Sequence, residues 1–200
     1  MIAIIDYNCG NLGSIHNMLN KIGIENIITN DSNIIREATK IILPGVGSFD
    51  TGISNLKKLN LIDVLNEEIL VKKKPVLGIC LGMQLMCTAS EEGTENGLSW
   101  IPQVIRDFRK NDEFIGTIPV MGWNYVETTK KNDILNDDES RFYFVHRFYC
   151  EKNEFEIIQS NVNNFIYCAA FNRDNIYGVQ FHPEKSHKFG VKILSNFCNL

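Results

Sequence analysis

The chain has 200 residues, 44% of them hydrophobic, and 20 basic against 24 acidic side chains give a net charge of -4. A chain of this length buries about 70% of its unfolded surface, so it needs neither disulfides nor a metal to hold a core. The acidic balance argues against nucleic-acid binding, and no apolar run approaches the ~20 residues that span a bilayer. Six cysteines are scattered at 9, 80, 87, 150, 168 and 198 without a Cys-x-x-Cys pair. That usage points to a reducing compartment and away from a structural zinc site. Met1 to Asp6 lacks the basic region and small-residue cleavage site of a signal peptide, so the expectation is one cytoplasmic domain over 1–200.

The chain opens with the apolar run Ile2 to Ile5, which reads as a buried strand feeding the turn-prone Asn8-Cys9-Gly10-Asn11. Leu12, Ile15, Leu19 and Ile22 then repeat at helical spacing up to Gly23. Strands are expected at 26–29 and 40–43, and helices at 49–59 and 61–73. The Lys72-Lys73-Lys74 run reads as a solvated helix end. Pro75 to Ile79 is a further short strand, followed at once by a helix over about 82–89. Strands alternating with helices imply a mostly parallel sheet covered on both faces. The second half changes character: strands are expected near 103–108, 122–128, 142–146, 156–160, 166–171 and 176–181. A polar loop spans Thr128 to Ser140, and an amphipathic helix covers about 186–198.

In such sheets ligands bind beyond the carboxyl ends of the strands, so chemistry is sought there. Gly78-Ile79-Cys80-Leu81-Gly82 has glycines where a sharp strand-to-helix turn would make side chains collide, leaving Cys80 exposed as a nucleophile. A small buried core residue is the bland reading of Cys80. His182 precedes Pro183, which favours extended backbone, so Glu184 falls on the same side and can orient the imidazole. Cys80, His182 and Glu184 then compose a nucleophile, a base and an orienter. Pro44-Gly45-Val46-Gly47 follows the third strand, and its glycines free backbone amides to face an oxyanion or to flip. Gln84, one helical turn after Cys80, either contacts a polar substrate or faces solvent.

These three segments, with Gly178 to Ser186 around the histidine, resemble the class I glutamine amidotransferases in order and spacing over essentially the whole chain. Three further segments are similar to the glutaminase subunits of imidazole glycerol phosphate synthase: Asp6 to Leu12, Pro119 to Asn124 and Phe142 to His146. The resemblance implies an α/β flavodoxin-like fold, an open twisted mostly parallel sheet with helices on both faces and extra antiparallel strands. It implies that Cys80 attacks the side-chain amide of glutamine, with His182 as base and then acid and Glu184 orienting it. Backbone amides of Leu81 and of Val46 or Gly47 would hold the oxyanion. Gln84, Gly45 and the backbone of His146, Arg147 and Phe148 would contact glutamine.

The resemblance further implies that ammonia passes into a docked (β/α)8-barrel synthase of histidine biosynthesis. Asn11, Pro119, Met121, Trp123 and Lys185 would lie at that docking face, and a flip of the Val46 region would be the switch. No metal or organic cofactor is implied. Three positions depart from the family pattern: Val120 for a usual His, Arg147 for a usual Ser, and Gly13 for a usual basic residue. Arg147 places a bulky cation near the glutamine pocket. These departures keep open a paralogous glutaminase that supplies a sugar-amidinating enzyme of surface glycans. A non-catalytic binding subunit and a stand-alone cysteine hydrolase are further alternatives. The intact triad opposes the first of these, and the Trp123 segment opposes the second.

Overall fold

The computed structural model describes residues 1–135 and 140–200. Its first half alternates strands and helices. β1 (Ile2–Ile5), α1 (Leu12–Lys21), β2 (Asn26–Thr29), α2 (Ser32–Glu37), β3 (Lys40–Leu43), α3 (Phe49–Lys58) and α4 (Leu61–Asn66) follow in order. After a π-helical turn over Glu67–Val71 come β4 (Val76–Ile79) and α5 (Leu81–Leu85). The second half adds β5 (Ala89–Ser90), β6 (Val104–Asp107), β7 (Val120–Thr128), β8 (Arg141–His146), β9 (Phe148–Cys150), β10 (Glu156–Val162), β11 (Phe165–Arg173), β12 (Ile176–Val179) and the closing α6 (His187–Cys198).

The sheet runs in the order β2-β1-β3-β4-β12-β11-β10-β7-β8. The five strands from β2 to β12 are parallel, and β11, β10, β7 and β8 extend them antiparallel. β9 joins β11 to β6, and β6 pairs with β5. Period-two alternation divides each central strand between two cores. Ala3 and Ile5 of β1 point into one, with Ile41, Val76, Phe49, Leu56 and Leu65. Ile2 and Ile4 point into the other, with Ile15 and Leu19 of α1 and Ile193, Leu194 and Phe197 of α6. Helices thus cover both faces, and the apolar runs in the strands are buried on both sides.

The structure departs from the expected elements in places that have local causes. α2 was not expected, because its six residues bury only Ile35; the Asp31 carboxylate caps it by accepting the Asn33 N–H at 2.7 Å. The helix expected over 82–89 stops at Leu85. There the Thr88 N–H and hydroxyl both donate to the Gln103 carbonyl and draw Ala89 into register with Val104. β9 was also missed, being only three residues long. The lysine run is not simply solvated, for Lys74 is only 10% exposed and pairs at 2.8 Å with the buried Glu68. In the expected loop from Thr128 to Ser140, Ile134 and Leu135 are fully buried in the α1–α6 core. Residues 136–139 of that loop lie outside the described residues. No helix among the described residues is long and apolar enough to cross a membrane.

Candidate active site

The end of β4 builds the nucleophile. Cys80 has φ +53 and ψ -109, a conformation that non-glycine residues rarely adopt, and its N–H donates to the Val179 carbonyl at 2.8 Å. The flanking glycines are demanded by close backbone packing. A Cβ at Gly82 would lie 1.8 Å from the Leu43 carbonyl oxygen, and one at Gly78 would lie 2.8 Å from the Met83 nitrogen. Cys80 is 8% exposed, so the nucleophile expected to be exposed is instead buried at the floor of the site. Leu81, as the first residue of α5, has an N–H without an intrahelical acceptor.

His182 and Glu184 sit just beyond β12, where the chain leaves the sheet through a 3-10 turn over Pro183–Lys185. Two bonds to β8 and its neighbours fix the histidine backbone. The His182 N–H donates to the Tyr143 carbonyl at 2.9 Å, and the Ser186 hydroxyl donates to the His182 carbonyl at 2.6 Å. His182 Nδ1 and Glu184 Oε1 are 2.8 Å apart, both side chains being 1% exposed. His182 Nε2 is buried without a hydrogen bond, within electrostatic reach of the Cys80 sulfur. Burial opposes the imidazolium, but the Cys80 sulfur and the Glu184 carboxylate outweigh it and raise the histidine to about 9.

The turn after β3 faces the same space. Gly45 is enclosed, with room for no Cβ: one would lie 2.5 Å from the Gly82 nitrogen and 2.8 Å from the Tyr7 hydroxyl. The Tyr7 hydroxyl donates a short hydrogen bond to the Pro44 carbonyl and so anchors the turn. Val46 is 51% exposed, and Gly47 has φ +127 with open space around it. The turn is therefore pinned at Pro44-Gly45 and unconfined at Val46-Gly47.

A cavity of about 350 Å³ brings these groups together, and Cys80, His182, Leu81, Val46, Gly47 and Gln84 all line it. Such a volume suits a single amino acid. His146, Arg147 and Phe148 line it as well. Gln84 Nε2 donates to the Phe148 carbonyl at 3.2 Å and to Gln180 Oε1 at 3.0 Å. With both amide hydrogens used, Gln84 keeps only acceptor capacity for a ligand. Burial holds His146 at about 4 and therefore neutral, with Nδ1 on the Phe148 carbonyl at 2.7 Å. Arg147 does not obstruct the cavity with a free cation. Its guanidinium forms two bonds to the buried Asp107 carboxylate and lies over the Phe148 ring at 4.8 Å.

Of the expected docking residues, Pro119 and Lys185 also line the cavity, at its mouth. Met121 and Trp123 are exposed on one face of β7, followed at the same period by Tyr125, which the sequence reading did not single out. The Trp123 ring stacks on His187 at 5.6 Å, with Arg141 at 5.5 Å from its centroid. Asn11 stands at the N-cap position of α1, half-buried and without a side-chain capping bond, and is not among the residues lining the cavity.

Four contributors were missed from sequence: Tyr7, Glu92, Gln180 and Ser186. Glu92 adds a carboxylate to the cavity wall, 12 positions after Cys80 in a segment without a motif. Burial pushes its carboxyl up, against the Phe49 N–H and the Arg147 guanidinium. Gln180 and Ser186 were quoted only as part of the histidine segment, since their partners are distant in sequence. Among the described residues no cluster of three or more His, Cys, Asp or Glu could hold a metal.

The Glutamine amidotransferase class-I family matches residues 3–199. A Methanococcus maripaludis protein named imidazole glycerol phosphate synthase subunit HisH 2 is 53% identical over 98% of both chains. Pseudomonas aeruginosa HisH 2 and Leptospira interrogans HisH, named as subunits of the same synthase, are 44% and 42% identical over the whole of both chains. Among solved structures, a glutamine amidotransferase superposes with a TM-score of 0.78 at 12% identity, over 100% of this chain and 98% of its own. PurLQS from Thermotoga maritima gives 0.74 at 17%, over 99% and 97%; at these identities the likeness concerns the fold alone. With full-length relatives above 40% identity, this chain belongs to the class-I glutamine amidotransferases and, within them, to the HisH subunits of imidazole glycerol phosphate synthase.

Proposed function

We propose that the whole chain acts as one amidotransferase domain, hydrolysing glutamine at Cys80 and delivering the ammonia to a (β/α)8-barrel synthase of histidine biosynthesis. The observation that carries this reading is the His182–Glu184 pair beside Cys80 in a cavity of amino-acid size, with the exposed Pro119 and Lys185 on its lining. The raised imidazole stands beside the sulfur as its proton acceptor, and the sulfur attacks the amide carbon as its proton passes to His182. The oxyanion that forms is taken by the Leu81 N–H and by an amide of the Val46–Gly47 turn. His182 then gives its proton to the leaving nitrogen, and ammonia departs from a glutamyl thioester. His182 next removes a proton from water, which attacks the thioester. The thiolate leaves, and glutamate is released.

At the amino-acid end, Gln84 offers an acceptor and Glu92 a carboxylate, a pair suited to the α-ammonium of glutamine. The Met121–Trp123–Tyr125 stripe is continuous with the cavity mouth through Pro119 and Lys185, so a barrel docked there would cover the exit used by ammonia. The names of the relatives favour the histidine-pathway acceptor over a sugar-amidinating one. This pathway belongs to the cytoplasm. Glutamate release by the complex with the barrel subunit tests the reading. Cys80→Ala should abolish it, and residual turnover within tenfold of the parent would remove Cys80 from the mechanism.

A further inference from the structure

Gln180 is fully buried at the end of β12 and takes no part in the mechanism above. Its Nε2 lies 3.6 Å from Cys80 Sγ, within hydrogen-bond range for sulfur, and its Oε1 accepts from Gln84 Nε2 at 3.0 Å. The orientation of this carboxamide is forced rather than free. A backbone carbonyl can only accept, so the Phe148 oxygen requires Gln84 to present its NH2 group. That NH2 in turn requires Gln180 to present its oxygen, which leaves the Gln180 NH2 aimed at the sulfur. The His182 imidazole faces the same sulfur, so Gln180 supplies a second polar contact to the nucleophile, through a separate chain of hydrogen bonds.

We propose that Gln180 is a catalytic hydrogen-bond donor to the Cys80 sulfur, oriented for that task by the Phe148–Gln84 chain. An N–H aimed at a sulfur stabilises it most when it carries negative charge, in the attacking thiolate and again when the thioester collapses. The same amide ties the nucleophile to the wall of the glutamine cavity, since Gln84 is shared by both. The inference rests on the glutaminase reading but is testable apart from it, because alkylation of Cys80 reads the Gln180 contact without glutamine turnover.

Two variants separate the donor from the scaffold. Gln180→Glu keeps an oxygen to accept from Gln84 and removes the N–H; Gln180→Met keeps the volume and removes both polar atoms. Each is compared with the parent in the complex with its barrel subunit, by glutamate release and by the rate at which iodoacetamide alkylates the Cys80 peptide at fixed pH. Loss of a hydrogen bond to a charged group corresponds to about 10- to 100-fold. Both variants should therefore lose kcat and Cys80 alkylation rate by that factor. KM should rise only in Gln180→Met, where Gln84 loses its partner. If both variants alkylate at the parent rate, the donor role is wrong, whatever happens to kcat. Faster alkylation or turnover would make Gln180 a restraint on the thiol and equally overturn the proposal. A parent that alkylates at Cys80 but releases no glutamate would sink the glutaminase reading while leaving the donor test intact. If Gln180→Met fails to fold, Gln180→Glu alone decides.

Discussion

His182 Nδ1 and Glu184 Oε1 stand 2.8 Å apart across a single proline, both inside the protein, while the other carboxylate oxygen and the other ring nitrogen have no hydrogen bond. Pro183 makes this geometry local, because its ring holds His182 extended (φ -103, ψ 95) before the chain enters the 3-10 turn. The base is thus oriented by its own segment, and the sheet needs only to deliver that segment to Cys80. β12 and β4 are parallel neighbours, with Gly178 opposite Gly78 and Val179 opposite Ile79, so their ends coincide.

The electrostatics predict a bell in stability against pH. His182, raised from 6.5 to about 9, stabilises the fold fully below pH 6.5 and loses that contribution as pH rises through 9, a change of up to about 3 kcal/mol. His146, lowered from 6.5 to about 4, contributes above pH 6.5 and loses as pH falls towards 4, by a similar amount, up to about 3 kcal/mol. Urea midpoints measured from pH 4 to 9.5 should peak near neutrality. In Cys80→Ala the alkaline limb should flatten while the acid limb persists. An unchanged alkaline limb would mean that the sulfur does not support the imidazolium.

Gly82→Ala should fail more severely than a surface glycine change. Its Cβ would overlap the Leu43 carbonyl at 1.8 Å, so the elbow must open. The expected outcome is loss of glutamate release and a fall in melting temperature. Gly13→Ala, where nothing lies within 4 Å of a Cβ, should leave the melting temperature at or above the parent's.

Arg147→Ser, the residue that the family resemblance leads one to expect here, should lower the stability of this fold. The reason is Asp107, whose side chain is 2% exposed and whose carboxyl the guanidinium holds below its ordinary range. Chemical denaturation would show the loss. Asp107→Asn together with Arg147→Ser should lose less than the two single changes summed.

Much of this was legible in the sequence because it is short-range. The Gly78–Gly82 elbow, the Pro183 step and the apolar strands are set by residues within a few positions of each other. Contacts across the chain were not legible. Tyr7 reaches Pro44, Glu92 holds the Phe49 N–H and Ser186 bonds the backbone of β8, over 37, 43 and 43 positions. Arg147 read as a loose cation for the same reason, since Asp107 is 40 positions away. Short β5 and β9 escaped notice because two or three residues carry no period.

Trp123→Ala should lower partner-stimulated glutamate release at least tenfold, as expected for an aromatic anchor worth more than about 1.4 kcal/mol at an interface. The unpartnered chain should keep its melting temperature, because Trp123 is 41% exposed and its contacts, with His187, Arg141 and Tyr143, lie at the surface of the sheet. Titration of the barrel subunit against each form distinguishes weakened docking from an effect on the glutaminase itself.

The most direct test of the central claim is mass spectrometry of the complex quenched in acid during glutamine turnover. The account predicts a glutamyl adduct on the peptide carrying Cys80 and no adduct on the peptides of the other five cysteines. Glutamate accumulating with no adduct in Cys80→Ala, or an adduct at another cysteine, would contradict it.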